Sequence, residues 1–527
     1  MNIYFIGMCI SLIAYFVIGF FISRRVKSAN DFYVAGRKAP VVLITGSMIA
    51  SYASTGMFMG DAGEYYSGLF SPMTILATMQ VAGYVYGAVF FGRYLRRSEV
   101  YTIPEFFGMR FASERMRKLA TVTSIITMTV YLLSVMQGIG TLMNVVTGVD
   151  YKICIILATI VFALVSILSG SSGVLITDTI MFGIFTAAIV VMVFVVGDKA
   201  GGWTEAVDKI VNLAGDKNLL AWSGNTNYLY PSGFENVAWG IVYGIVWMSV
   251  CMVGPWQSSR YLMAKNEHTV IRSAVFSAIG IFLLQLFVGM TAVMVNIFAP
   301  NLESASHVLI WASMNLVPTG LGVIMLTGVL AAGISSATTF LSLIGSSAAN
   351  DIFRGKGNSI TIGRIAMVLV STVVLGLAIT NPPQIFWIMF FGGAIVASSW
   401  MPVAVASILS KRVTETAAFY GMLVGFVGCF ATKLVSSLGG ITLPVYLDPT
   451  IVGMVLNIIT LVFVSCFTKV SEEEKNARNK LFVVPESEKD SKEQKITKMH
   501  LNAMVILGVV VALVLLFVWA IPYNQAL

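Results

Sequence analysis

Residues 3–22 run for twenty positions without a charge, and runs of this kind recur along the whole chain. They fall near 41–66, 72–95, 118–147, 152–169, 173–197, 236–257, 270–297, 320–349, 361–379, 383–409, 415–435, 449–467 and 500–521. A helix that crosses the hydrocarbon core of a bilayer needs about twenty apolar residues. The chain is 57% hydrophobic and 11% charged. Soluble domains carry roughly 25% charged residues. Lipid must therefore cover most of the outer surface, and the predicted class is an all-α polytopic membrane protein of about fourteen transmembrane helices. Soluble enzymes and nucleic-acid binders are excluded by the same argument.

Basic residues cluster in alternate loops. They lie at 23–40 (Arg24, Arg25, Lys27, Arg37, Lys38), 93–118, 260–272, 354–364, 411–412 and 469–498. Of 33 Lys and Arg, five sit on the other side: Lys152, Lys199, Lys209, Lys217 and Lys433. Such loops stay cytoplasmic. The pattern places both termini outside and accounts for the net charge of +8 without a nucleic acid. Residues 3–22 have no basic segment before them and no small-residue cleavage site after them, so they read as a retained helix. The expected location is the plasma membrane, with no obligate protein partner.

Two loops are long. Residues 198–235 face outside and could cap the external mouth, while 468–499 read as a solvated charged linker. Residues 303–315 read as a short amphipathic piece on the outer surface. Cys9, Cys154, Cys251, Cys429 and Cys466 lie in apolar stretches with no metal or disulfide spacing. His268, His307 and His500 are scattered at span ends or loops, so no metal cluster is expected.

Spanning backbone must satisfy its own hydrogen bonds except beside a cavity or inside protein. The second run holds Ser51-Tyr52-Ala53-Ser54-Thr55-Gly56 at its centre, and the seventh carries Gly254-Pro255 near its inner end. Paired interruptions in two halves point to an inverted-repeat transporter with a midplane site. The competing reading is a seam of small residues between close helices. The ninth run brings Ser335, Ser336, Thr338 and Thr339 into five positions. Residues 335, 338 and 339 share a helical face. Neutral hydroxyls beside free carbonyls suit a hard cation, although each hydroxyl could instead bond back to its own helix.

Acids inside a membrane are costly and mark function. Asp178 is such a candidate, against the alternative of a snorkelling or capping carboxylate. Asp61 and Glu64, near the outer end of the second run, read as solvated. No Lys or Arg lies deep in any predicted span, which leaves a multiply charged anion without a partner.

The segments SANDFYVAGRKAP, ASYASTGMFMG, SGSSGVLITDTI, Gly254-Pro255 with RYLMAK, and AAGISSATTFLS, in that order over ten helices, resemble the sodium:solute symporter family. Members take up sugars, proline, pantothenate, sialic acid and short carboxylates. The resemblance implies a five-plus-five inverted repeat like LeuT, here 41–197 and 236–409. The segments 1–40 and 410–527 would be peripheral. It implies sodium as the co-transported ion. Carried over by position, the first sodium site would use backbone oxygens of Ala50, Ala53 and Ala332 and the hydroxyls of Ser335 and Ser336. A second sodium would take Asp178, Ser335, Thr338 and Thr339, with Thr standing in part where the family has Ser. The solute pocket would be drawn from Tyr52, Ser54, Met57, Gln137, Thr141, Trp247 and Trp387. The expected function is sodium-coupled import of a zwitterion, a polyol or sugar, or a small monocarboxylate by alternating access. The alternative is a transporter-like sensor that signals to a partner. No nucleophile–base pair or metal-ligand cluster argues for an enzyme.

Overall fold

The computed structural model describes residues 3–23, 28–213, 219–354, 359–380 and 384–526, and within these the regular elements are helical. Arg24, Arg25, Lys27 and Lys217, counted above in the loops, lie outside the described residues. The principal helices are α1 (Ile3–Ser23), α2 (Val41–Tyr52), α3 (Gly56–Tyr66), α4 (Phe70–Ser98), α5 (Glu114–Thr147), α6 (Tyr151–Ala200), α7 (Gly233–Val253) and α8 (Pro255–Met263). They continue as α9 (Glu267–Phe298), α10 (Thr319–Ile352), α11 (Ser359–Thr380), α12 (Ile385–Leu409), α13 (Glu415–Gly439), α14 (Pro449–Phe467) and α15 (Ser491–Leu515). Among the described residues, 11 helices are long and apolar enough to cross a membrane, with α7 and α8 taken as one. The pair α2–α3, bent by 50°, makes a further span. Residues Ile3–Ala14 and Tyr151–Ile167 are shorter apolar stretches.

Helix α6 joins two predicted spans without a lapse in helical assignment over 50 residues. Straight, it would measure roughly 75 Å, more than twice the bilayer core. It instead folds back. The Thr159 hydroxyl lies 3.7 Å from Met136 Sδ on α5. Phe185 packs on Gly328 of α10, and α10 meets α5 nearby at Gly333 and Ile139. Thr159 and Phe185 thus lie at similar depth on two antiparallel legs.

Helices approach closely where glycine removes the side chain. An added Cβ on Gly83 of α4 would stand 2.3 Å from the Met248 carbonyl oxygen of α7, so the two backbones touch. In lipid, where burial of apolar surface drives little association, such contact is what holds helices together. The apolar part of α15, by contrast, is not buried at all and lies on the periphery.

The expectation for one loop is corrected. Within 468–499, the Ser471 hydroxyl and the Glu474 carboxylate cap each other's backbone N–H groups and start a helix at Glu472–Phe482. That helix docks on the basic loops: Arg97 Nη1 donates to the Leu481 carbonyl at 2.9 Å and Arg478 Nη2 to the Ile408 carbonyl at 2.8 Å. The segment is a folded brace, not a solvated linker, because buried arginines on the basic face need its carbonyls. The 303–315 piece packs one face inward, with Glu303 and Asn315 exposed. Helix Val308–Asn315 buries Val308, Leu309, Ile310 and Ala312 in contact with α3, α9 and α10.

A candidate ion and solute site at two helix breaks

The polar run at the centre of the second span is a true break. Helix α2 ends at Tyr52, Ala53 leaves helical geometry (φ −71°, ψ 71°), and the chain resumes at Gly56. The seventh span breaks at Gly254 (φ −58°, ψ 135°), after which Pro255 opens α8. Proline fits the first turn of a helix because its missing N–H has no partner there anyway. The breaks face one another. The Tyr52 and Trp247 rings meet edge-on at 5.1 Å, and Gln257 Nε2 donates to Ser51 Oγ at 3.3 Å. Ahead of α2, Ala39 pairs with the strand-like end of α8 through Lys265 N to Ala39 O at 3.0 Å.

The first break rests on α10. Thr55 fills the space over Gly333 and Gly138, and its hydroxyl donates to the Val135 carbonyl at 3.2 Å. One turn beyond Gly333, Ser336 is fully buried and its hydroxyl has no hydrogen-bond partner. A buried hydroxyl usually bonds to its own helix; this one does not. Ala50, Ala53 and Ala332, on the same two elements, are buried as well.

The polar neighbours of Ser336 on α10 are committed, although Ser342 Oγ further along is also buried without a partner. Ser335 Oγ donates to Asp178 Oδ1 at 2.5 Å and Thr338 Oγ1 to the Ser335 carbonyl at 2.9 Å. Asp178 Oδ2 also accepts from Ser47 Oγ at 2.5 Å and from Arg260 Nη2 at 3.1 Å. Arg260 Nη2 donates in addition to Thr339 Oγ1 at 2.8 Å, and Arg260 Nε to Ser47 Oγ at 3.0 Å. A guanidinium therefore binds two members of the cluster Asp178, Ser335, Thr338 and Thr339, namely Asp178 and Thr339. This corrects the expectation that no cation lies deep in a span. Helix α8 continues six residues past the predicted end of its span, and both Arg260 and Asp178 are buried.

The expectation for Asp61 and Glu64 is corrected as well. They are 1% and 4% exposed, not solvated. Gly63 lets the backbone of Ala305 close over α3, and the loop before α7 adds Tyr228, whose hydroxyl donates to Glu64 Oε1 at 3.2 Å. Burial raises the Tyr228 phenol's pKa, with the Glu64 charge adding to it. Asp61 accepts from Tyr243 Oη at 3.2 Å and Gln285 Nε2 at 3.0 Å.

The expected solute residues are placed as follows. Tyr52 Oη donates to Gln80, with Gln285 Oε1 at 3.4 Å. Ser54 Oγ lies 3.3 Å from Tyr131 Oη, and Met57 is buried beyond it. Gln137 accepts from the Gln384 N–H at 3.0 Å. Thr141 and Trp387 line a cavity of about 480 Å³ with Met59, Glu64, His307 and Phe386. The Trp247 indole N–H and the Thr141 hydroxyl are buried without partners. Sequence reasoning missed Gln80, Tyr131, Tyr243 and Gln285 because each sits singly on an apolar helix. Their only signal was a polar tip in the membrane.

A many-helix membrane protein with two opposed helix breaks is built as a carrier of small ligands. The sodium:solute symporter family profile matches residues 32–425, and the chain belongs to that family. It is 25% identical over 484 residues to the osmoregulated proline transporter OpuE of Bacillus subtilis, covering 88% of this chain and 94% of that one. It is 23% identical to the sodium/glucose cotransporter of Vibrio parahaemolyticus, covering 87% and 89%. The substrate-bound outward-open structure of a Na+-coupled sialic acid symporter superposes with a TM-score of 0.73 at 16% identity, over 90% of this chain and 99% of that one. A closed form of Mhp1, a nucleobase-cation-symport-1 family transporter, gives 0.55 at 13% identity, over 86% and 99%. These two show a shared fold.

Proposed function

We propose that this protein imports a small organic solute by sodium-coupled alternating access. One observation carries the reading: Ser336, one turn beyond the Gly333 on which the first break rests, presents a buried hydroxyl without a partner. Oxygen ligands that the protein leaves unpaired are what a dehydrated sodium ion requires. The proposed ligands are the carbonyls of Ala50, Ala53 and Ala332 with Ser335 and Ser336. Ser335 would turn its hydroxyl hydrogen to Asp178 and its lone pairs to the ion.

A single sodium is the proposed count. Arg260 already supplies positive charge to Asp178 and a donor to Thr339, so a second cation there would meet a fixed guanidinium. The solute would lie between the breaks, against Tyr52, Ser54, Met57 and Trp247, with Gln137, Thr141 and Trp387 on the entry path from the external side. We assign fourteen spans, with the repeats at 41–197 and 236–409. The basic loops would be cytoplasmic in the plasma membrane and both termini outside.

Sodium binding to one state and not the other is what converts its gradient into work. The test is reconstitution in liposomes with an imposed sodium gradient. Solute accumulation that collapses when potassium replaces sodium supports the proposal. Equal uptake in the two salts overturns it.

A further inference from the structure

The symporter reading leaves two acids unused. Asp61 and Glu64 lie one turn apart on α3 and share a face. Among the described residues neither has an ion-pair partner. Asp61 holds two neutral donors, and Glu64 one; its second oxygen, Oε2, is buried without any. That oxygen belongs to a residue lining the 480 Å³ cavity, where the Thr141 hydroxyl is also unpartnered. A buried carboxyl without a cation either takes up a proton or is completed by a ligand that brings the cation. His307, in the same lining, does not supply that cation, because burial lowers its pKa.

Aromatic rings stand beside Asp61, and Phe386 and Trp387 line the cavity with Glu64. Tyr243, which binds Asp61, stacks on Trp239 at 5.1 Å and meets Phe386 at 5.1 Å and Phe390 at 4.8 Å. Carboxylates next to aromatic faces form a site for an ammonium group, through charge-assisted hydrogen bonds and cation–π attraction. A polyol would satisfy the oxygens but leave the charge, and a monocarboxylate would be repelled. The buried Arg260 is committed to Asp178, and among the described residues no Lys or Arg lines the cavity, so the carboxylate of a zwitterion would lack a cationic partner there.

We infer that the transported solute is a small organic cation whose ammonium group is received by Asp61 and Glu64 against this aromatic wall. The inference rests on the symporter reading and narrows its solute class. It makes the acids a selectivity element separate from the sodium site at Ser336.

The experiment is thermal unfolding of purified protein in saturating sodium chloride with choline, ethanolamine, glycine betaine, myo-inositol or propionate. The midpoint is expected to rise with choline or ethanolamine above glycine betaine, and not with inositol or propionate. Asp61→Asn and Glu64→Gln should each weaken that response at least tenfold in apparent affinity, while the sodium-induced rise stays at the wild-type value. An intact sodium response without a response to either amine overturns the inference, as does wild-type amine affinity in both variants or a stronger response to glycine betaine. A missing sodium response in the wild type would instead overturn the symporter reading.

Discussion

Arg260 on α8 and Asp178 on α6 form a fully buried ion pair at 3.1 Å, and Ser47 on α2 and Thr339 on α10 bind the same guanidinium. Four elements, including the half-helices that follow and precede the two breaks, are thus tied at one charged knot. The pair needs all of its hydrogen bonds, because desolvating two charges can cost more than their attraction returns.

Removing one partner should be worse than removing both. Arg260→Ala is expected to destabilise by about 3–5 kcal/mol, because it strands the Asp178 charge. Adding Asp178→Asn should recover a large part of that loss. Thermal unfolding of the two single variants and the double variant checks the sign of the coupling.

Ser336→Ala removes a hydroxyl that bonds to nothing in the protein, so its own cost should stay below about 1 kcal/mol. The sodium-specific rise in midpoint should vanish. In the wild type a ligand at about 100 times its dissociation constant adds about 2.7 kcal/mol, ample to detect. A wild-type sodium response in the variant would remove Ser336 from the ion site.

Gly83→Ala places a methyl group 2.3 Å from the Met248 carbonyl oxygen, a backbone atom that cannot swing aside. Helices α4 and α7 would have to separate, at a cost of about 1–3 kcal/mol or more. The variant should show a lower midpoint in detergent, and Gly148→Ala, in open space at a positive φ of 71°, should be affected by backbone strain alone.

His307 gives a pH signature. Burial lowers its pKa, while Glu303 acts in the opposite direction. The unfolded chain then binds the proton more readily, at about pH 6.5. The stability contribution is present above that pH and is lost as pH falls from there through the depressed native value. The midpoint difference between pH 7.5 and pH 5.5 should therefore shrink in His307→Gln.

Ser471→Ala removes the N-cap of helix Glu472–Phe482 and its reciprocal bond with Glu474, worth about 1 kcal/mol. Limited proteolysis should then cut within 472–482 faster than in the wild type, while the transmembrane helices remain intact.

Most of the helices could be read directly, because a segment long and apolar enough to span lipid has few alternatives. The break at Ser51–Gly56 was legible for the same reason: small polar residues at mid-span mark backbone that bonds elsewhere. Arg260 was not. Its sequence context, six residues beyond Gly254-Pro255, looks like the start of a basic loop, and only the continuation of α8 into the protein carries it to Asp178. Asp61 and Glu64 failed in the opposite sense. Position near a span end suggests water, but the chain between α9 and α10 and the loop before α7 close over them.

By itself the sequence determined the solvent of this protein and the two places where a helix must break, since those follow from local composition and the demand that buried backbone be satisfied. Tertiary structure alone decided which charges meet. Whether a carboxylate faces an arginine, an orphaned hydroxyl or an open cavity depends on residues up to hundreds of positions away, and no local pattern encodes that distance.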